Sequence, residues 1–118
     1  MNTRALGAAG EKIAVEYLKK MNYKILTTNF HYSKMAELDI VAKDGDTIVF
    51  VEVKTRTTLN YGHPLESVGR KKLMNIFQAG LYYLKQTDEK YRRYRIDVIS
   101  ILNPEAPRIE HLKNVSLN

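Results

Sequence analysis

The run from Glu37 to Arg56, ELDIVAKDGDTIVFVEVKTR, limits what this chain can fold into. Apolar and β-branched residues flank Asp44-Gly45, the composition of two strands around a tight turn. Side chains two apart on a strand share a face. Ile48, Phe50, Glu52 and Lys54 therefore lie on one face of the second strand, and Val49, Val51 and Val53 on the other. Both faces of its first half are apolar, so that strand belongs in the middle of a sheet covered on both sides. On the first strand Glu37, Asp39 and Val41 are expected to share a face. Asp39, Glu52 and Lys54 put charge where strand residues should be apolar. A sequence that sets burial rules aside at several facing positions does so at a site.

The turn decides whether Asp39 meets Glu52. A two-residue Asp44-Gly45 loop pairs Lys43 with Asp46. Asp39 then faces Phe50 and lies diagonal to Glu52, roughly 7–8 Å away between backbone positions. A four-residue loop pairs Lys43 with Ile48 and sets Asp39 directly opposite Glu52. Either register gathers both carboxylates and Lys54 on one face, whereas a one-residue slip would separate them.

Two carboxylates on adjacent strands suit a hard divalent cation such as Mg²⁺ or Mn²⁺. A lysine beside them adds a point charge for a phosphate or an activated water. These are the parts of metal-assisted phosphodiester hydrolysis. The plainer alternative is an exposed strand end with an ordinary Glu–Lys pair, since such pairs are common and weak.

Asp39 followed by Glu52-Val53-Lys54 resembles the PD-(D/E)xK nuclease superfamily, which has the restriction-endonuclease-like fold. The chain is more closely similar to the small bacterial YraN family, itself similar to archaeal Holliday-junction resolvases. The matching segments are Gly10-Glu11-Lys12-Ile13-Ala14, Tyr17-Leu18, Asn29-Phe30, Glu37-Leu38-Asp39-Ile40-Val41, Val51-Glu52-Val53-Lys54-Thr55-Arg56 and Arg95-Ile96-Asp97-Val98. They span most of the chain in family order. Ala36 replaces the glycine usual before Glu-x-Asp, and Leu38 replaces the superfamily's proline. The resemblance implies an αβββαβ core, an acidic helix residue at Glu11 that assists catalysis, and a position of unassigned role at Asp97.

Composition and charge fit this reading. A chain of 118 residues with 44% hydrophobic and 27% charged residues suits one globular domain spanning 1–118. No apolar run approaches the roughly 18 residues of a membrane span, and the N-terminus lacks a secretory core segment. With no cysteine, disulfide and thiolate chemistry are excluded and a cytoplasmic setting is expected. Net charge is +6, which suits a polyanionic partner. The absence of a glycine-rich phosphate loop or dinucleotide fingerprint argues against nucleotide hydrolysis and redox functions.

Residues 3–21 are predicted to form a helix with Thr3 as N-cap, burying Leu6, Gly10, Ile13, Ala14, Tyr17, Leu18 and Met21. Glu11 falls about 20° from Leu18, at the rim of that face, whereas Glu16 lies in the polar sector. Tyr23 to Thr28 reads as a strand and residues 29–36 as a polar loop. The three histidines, His31, His63 and His111, are isolated in sequence, so no zinc site is expected and each reads as a surface residue. A loop of about ten residues follows Lys54, with Arg56 and Tyr61 placed for a phosphate and a base.

Residues 65–86 are predicted as a second helix with a core stripe of Leu73, Ile76, Phe77, Gly80, Tyr83 and Leu84. Lys71, Asn75, Gln78, Tyr82 and Lys85 form the opposite stripe. Gln78-x-x-x-Tyr82 resembles a motif found after Glu-x-Lys in RecB-like nucleases, but the helical wheel turns both residues away from the core. Lys71 and Lys72 read as phosphate contacts. Tyr91-Arg92-Arg93-Tyr94 is a basic aromatic run suited to phosphate contact and stacking, with Arg92 and Arg93 as the binding cations. Arg95 to Leu102 is a strand, and Arg108 to Lys113 a short edge strand.

The expected architecture is an α/β sandwich with a mixed sheet and flanking helices. The expected function is metal-dependent hydrolysis of nucleic acid, DNA in the first instance. Asp39 and Glu52, with the Val53 carbonyl, would hold Mg²⁺ or Mn²⁺; Lys54 and Glu11 would assist. Junction resolution would require two sites and hence a homodimer. A non-catalytic nucleic-acid-binding module on the same fold is the alternative, and an adaptor docking an acidic protein is a third.

Overall fold

A computed structural model of the chain describes residues 2–34, 36–57 and 68–116. The elements run α1 (Thr3–Lys20), β1 (Lys24–Ser33), β2 (Ala36–Asp44), β3 (Thr47–Arg56), α2 (Arg70–Gln86), β4 (Arg93–Leu102) and β5 (Arg108–Leu112). They form a mixed α/β structure around one five-stranded sheet in the order β1-β2-β3-β4-β5. Only the β3–β4 pair is parallel, and α2 is its crossover. No helix among the described residues is long and apolar enough to cross a membrane.

Two apolar layers hold the helices to opposite faces of the sheet. Ala14 and Leu18 of α1 pack on Ile40, Ala42, Val49, Val51, Ile99 and Ile101. Leu73, Ile76, Ala79 and Tyr83 of α2 pack on Leu38, Val41, Ile48, Phe50, Ile96 and Val98. Burial of both faces of β3 confirms its central place. Two glycines let the helices approach closely. A Cβ at Gly80 would lie 2.6 Å from the Phe50 ring, and one at Gly10 would collide with the Thr55 side chain.

Several expectations are corrected. Asn2, not Thr3, caps α1, its Oδ1 accepting from the Ala5 N–H at 2.8 Å. The expected loop at 29–36 is largely strand, because β1 runs on to Ser33. As the outer strand it leaves most of these polar side chains in water, so their polarity does not oppose pairing. β3 likewise runs through Thr55 and Arg56, two residues expected to begin a loop. α2 begins at Arg70 rather than 65, after Gly69. The loop expectation at 58–64, with Tyr61 and His63, and the helix start at 65–67 lie outside the described residues. Arg93 and Tyr94 already belong to β4.

The hairpin takes the register that pairs Lys43 with Ile48, but with a shorter turn than expected. Asp44 pairs with Thr47, leaving Gly45 and Asp46 as the two turn residues. Gly45 stands first with φ +61°, where such a turn needs glycine.

Side-chain alternation on β2 slips at Asp39. On β2, Leu38 and Val41 both join the α2-side core, while Ile40 joins the α1-side core. The phase therefore changes at Asp39, and the expected common face of Glu37, Asp39 and Val41 does not form. On β1, Asn29 falls between the Thr28–Ile40 and Phe30–Leu38 pairs, across from Asp39, with φ +52°. Asparagine enters this left-handed region more readily than most residues.

Candidate active site

The slip at Asn29 and Asp39 coincides with a gap in the sheet. Backbone pairing between β2 and β3 ends at Ile40–Val51, while β3 continues beside β4 to Arg56. Beyond that point the Asp39 side chain takes over, Oδ2 accepting the Val53 N–H at 2.8 Å. Asp39 thus stands in the plane of the sheet, open to groups from both faces.

From the α2 face comes Glu52, only 3% exposed. Its carboxyl group shares a hydrogen bond with Asp39. Burial, then the Asp39 charge and this hydrogen bond, push the Glu52 carboxyl up to about 8, against the opposing pull of Lys72 and Lys54. Lys54 Nζ lies 3.6 Å from Glu52 Oε2, and Lys72 Nζ, from the first turn of α2, lies 3.7 Å from the same atom. Lys72, expected only as a phosphate contact, is therefore a neighbour of the central carboxyl group.

From the α1 face comes Glu11. The close approach of Gly10 to Thr55 sets this part of the helix directly on β3 and delivers the next residue to the site. Burial raises the Glu11 pKa, as do the nearby Asp39 and Glu37 charges, while a hydrogen bond from Asn29 opposes the rise. With its amide nitrogen turned toward them, Asn29 donates to Glu11 Oε1 at 3.0 Å and to Glu37 Oε1 at 3.3 Å. His31 lies 3.6 Å from the same Glu37 oxygen and is exposed, as expected. Glu37 thus sits with Glu11 on the α1 side rather than beside Glu52. Asn29 is the site residue that sequence reasoning placed in a loop. Its one local signal is an asparagine inside a β-rich run.

The donor set is hard oxygen throughout. Among the described residues no group of three or more acidic or histidine side chains is arranged to enclose a metal ion. Two carboxylates in contact nevertheless suit Mg²⁺, which is commonly held by one or two carboxylates, water and substrate phosphate. Glu52 is buried against Asp39, and Lys54 and Lys72 offset only part of the cost of its charge, so a proton or a further cation is favoured there.

The remaining predicted residues disperse. Lys71 is exposed on the outer side of α2, and Arg56 ends β3 beyond the site. Arg92 and Arg93 lie at the far end of the sheet. Arg93 aligns with Thr47, about 16 Å along β3 from Glu52, and is paired with Asp46 at 3.2 Å. Gln78 and Tyr82 lie on α2, turned from the core as the wheel required.

A second polar cluster lies on the α1 face under β5. Asp97, fully buried, accepts from Arg95 Nε at 2.9 Å, His111 Nε2 at 2.8 Å and the Asn114 N–H at 2.9 Å. Tyr17 Oη lies 3.0 Å from His111 Nδ1 and donates to it once Nε2–H points at Asp97. The His111 side chain is 6% exposed, so the expectation of a surface histidine is wrong. Strand pairing hides it, and its partners are remote in sequence. Burial would raise Asp97, but the hydrogen bonds from His111, Arg95 and Asn114, with the Arg95 charge, hold it below the usual carboxylate range.

A family model described as "Uncharacterised protein family UPF0102" matches residues 10–101, a span that holds the whole acidic cluster. The chain is similar to a UPF0102 protein of Caldicellulosiruptor saccharolyticus, 46% identical over 86% of this chain and 85% of that one. It is also similar to UPF0102 proteins of Geobacter metallireducens, 45% identical over 97% and 93% of the two chains, and of Beutenbergia cavernae, 42% identical over 94% and 95%. The chain belongs to the uncharacterised protein family UPF0102, the YraN family expected from its motifs.

Proposed function

We propose that this chain is a divalent-metal-dependent phosphodiester hydrolase acting on nucleic acid, DNA in the first instance, with a restriction-endonuclease-like fold of the PD-(D/E)xK superfamily. One observation carries the reading. The Asp39 and Glu52 carboxyl groups meet at a gap in the sheet, with Glu52 buried and the Lys54 and Lys72 ammonium groups within 3.7 Å of it. The αβββαβ order supports the fold assignment.

Asp39 and Glu52 would hold Mg²⁺ or Mn²⁺, with the Val53 carbonyl as a further oxygen. The bound metal would supply Lewis-acid polarisation of a phosphate oxygen and a more acidic water. Lys54 directs positive charge to where negative charge builds on phosphorus, or orients the attacking water. Lys72, from the opposite side of Glu52, offers a second cation to the substrate phosphate. Glu11 approaches from the other helix and positions water near Asp39. Asn29 fixes Glu11 and Glu37 relative to one another.

A non-catalytic nucleic-acid-binding module is the second reading. It is favoured by the pairing of both lysines with Glu52, which leaves the cluster partly self-neutralised. Labelled linear, flap and four-way-junction DNA, and RNA, incubated with Mg²⁺, Mn²⁺ or EDTA, separate the two. The hydrolase reading expects metal-dependent cutting that falls at least about 100-fold in Asp39→Asn and Lys54→Ala. Absence of cutting, with binding unchanged in both variants, would favour the binding module.

A further inference from the structure

Two tyrosines pack against each other, tilted, on the surface where β1 meets α2. Tyr32, near the end of β1, and Tyr82, in α2, have ring centroids 4.9 Å apart at 41°. Phe30 lies 6.0 Å from Tyr82 and meets Tyr83 edge-on at 5.3 Å, so it seals the core below them. Neither tyrosine is needed for that seal, and both stay open, Tyr32 to 47% and Tyr82 to 42%. Together with Gln78, Leu81 and Lys85 they line a cleft of about 320 Å³. Among the described residues, that lining carries a cation and no acidic side chain.

The cleft is connected to the carboxylates along two elements. On β1, Tyr32 follows Asn29 by about 10 Å of strand. On α2, Tyr82 follows Lys72 by about 15 Å of helix, and Asn75 lies on the same rim between them. These lengths correspond to a few nucleotide rises. Exposed aromatic faces next to a cationic track suit the π-face of a base, which a continuous duplex keeps stacked inside.

We propose that Tyr32 and Tyr82 form a stacking platform for an unpaired base of the strand whose phosphodiester reaches Asp39 and Glu52. This rests on the nucleic-acid reading above and narrows its substrate to nucleic acid with an unpaired segment. Lys85 and Lys72 hold the backbone at the two ends of the track.

The test is fluorescence anisotropy in EDTA, where no cutting is required. Labelled oligo(dT), oligo(rU) and a hairpin duplex are titrated with wild type, Tyr32→Leu, Tyr82→Leu and Tyr82→Phe, each first shown to melt like wild type. Each leucine variant is expected to bind the single strands about five- to ten-fold more weakly. The phenylalanine variant and all duplex affinities should stay within about two-fold. Unchanged single-strand binding in the leucine variants overturns the platform. So does an equal loss on duplex, no single-strand binding by wild type, or self-association that the leucine variants abolish. If single strands bind in this tyrosine-dependent way and no substrate is cut, the platform stands and the hydrolase reading fails. If substrates are cut and the leucine variants bind and cut like wild type, the platform alone fails.

Discussion

Two buried carboxyl groups in one sheet have opposite surroundings. Asp97 is enclosed by donors: Arg95, His111 and the Asn114 N–H all point at it, and its pKa is held low. Glu52 faces another carboxyl group, and its pKa is driven up to about 8. Lys54 and Lys72 reach Glu52 at 3.6 and 3.7 Å, beyond good hydrogen-bond length, and do not reverse the shift. Under the proposed function, the contrast separates a structural carboxylate from a functional one. A structural group is charged and satisfied from within. A functional one is left short of positive charge and accommodates a ligand that supplies it.

Removing each group should break the comparison in opposite directions. Asp97→Ala takes away the buried acceptor shared by Arg95, His111 and the Asn114 N–H, leaving Arg95 only Asp44 and Tyr23, and should lower unfolding free energy by about 3–5 kcal/mol in a urea titration. Glu52→Gln removes a group that folding penalises. In EDTA at neutral pH it should leave stability unchanged or raise it by up to about 2 kcal/mol. A Glu52→Gln variant as damaged as Asp97→Ala would erase the distinction.

The helix α1 ties the two regions together, because it carries both Glu11 and Tyr17. Gly10→Ala drives a Cβ into Thr55 and should cost about 1–3 kcal/mol, while also weakening the proposed cleavage through displacement of Glu11. Tyr17→Phe deletes only the hydrogen bond to His111 and should cost about 1 kcal/mol, with the proposed cleavage unaffected. Thermal melts and cleavage assays on the two variants check both outcomes.

The pH dependence of stability sharpens the same contrast. Asp97, with its folded pKa depressed, contributes stability that is present above its ordinary value near 3.8 and lost as pH falls through the lower folded value. Glu52, with its folded pKa raised, contributes stability that is present below the ordinary 4.5 and lost as pH rises toward about 8. Melting in EDTA across roughly pH 2–9 should therefore show an acid limb that Asp97→Asn flattens and a decline between about pH 4.5 and 8 that Glu52→Gln flattens.

Much of the fold and part of the site were legible in the sequence, for identifiable reasons. The central place of β3 was readable because Ile48 to Val53 presents apolar residues to both faces, and Glu52 and Lys54 stand out against them. The contact of Asp39 with Glu52 followed from hairpin geometry. The place of Asp39 between the faces did not, because it depends on a phase slip shared with Asn29 across the β1–β2 ladder. Residues 29–33 looked like a loop because an edge strand needs few apolar residues. His111 looked exposed because its burial depends on Asp97 and Tyr17, which only the fold brings to it.

The most direct measurement of the central claim is Mn²⁺ binding followed by electron paramagnetic resonance, on wild type, Asp39→Asn, Glu52→Gln and Tyr17→Phe. Wild type and Tyr17→Phe should each hold a single Mn²⁺ per chain, and Asp39→Asn and Glu52→Gln should lose it. Failure of wild type to bind Mn²⁺, or equal binding by Glu52→Gln, would contradict a metal centre built on these two carboxyl groups.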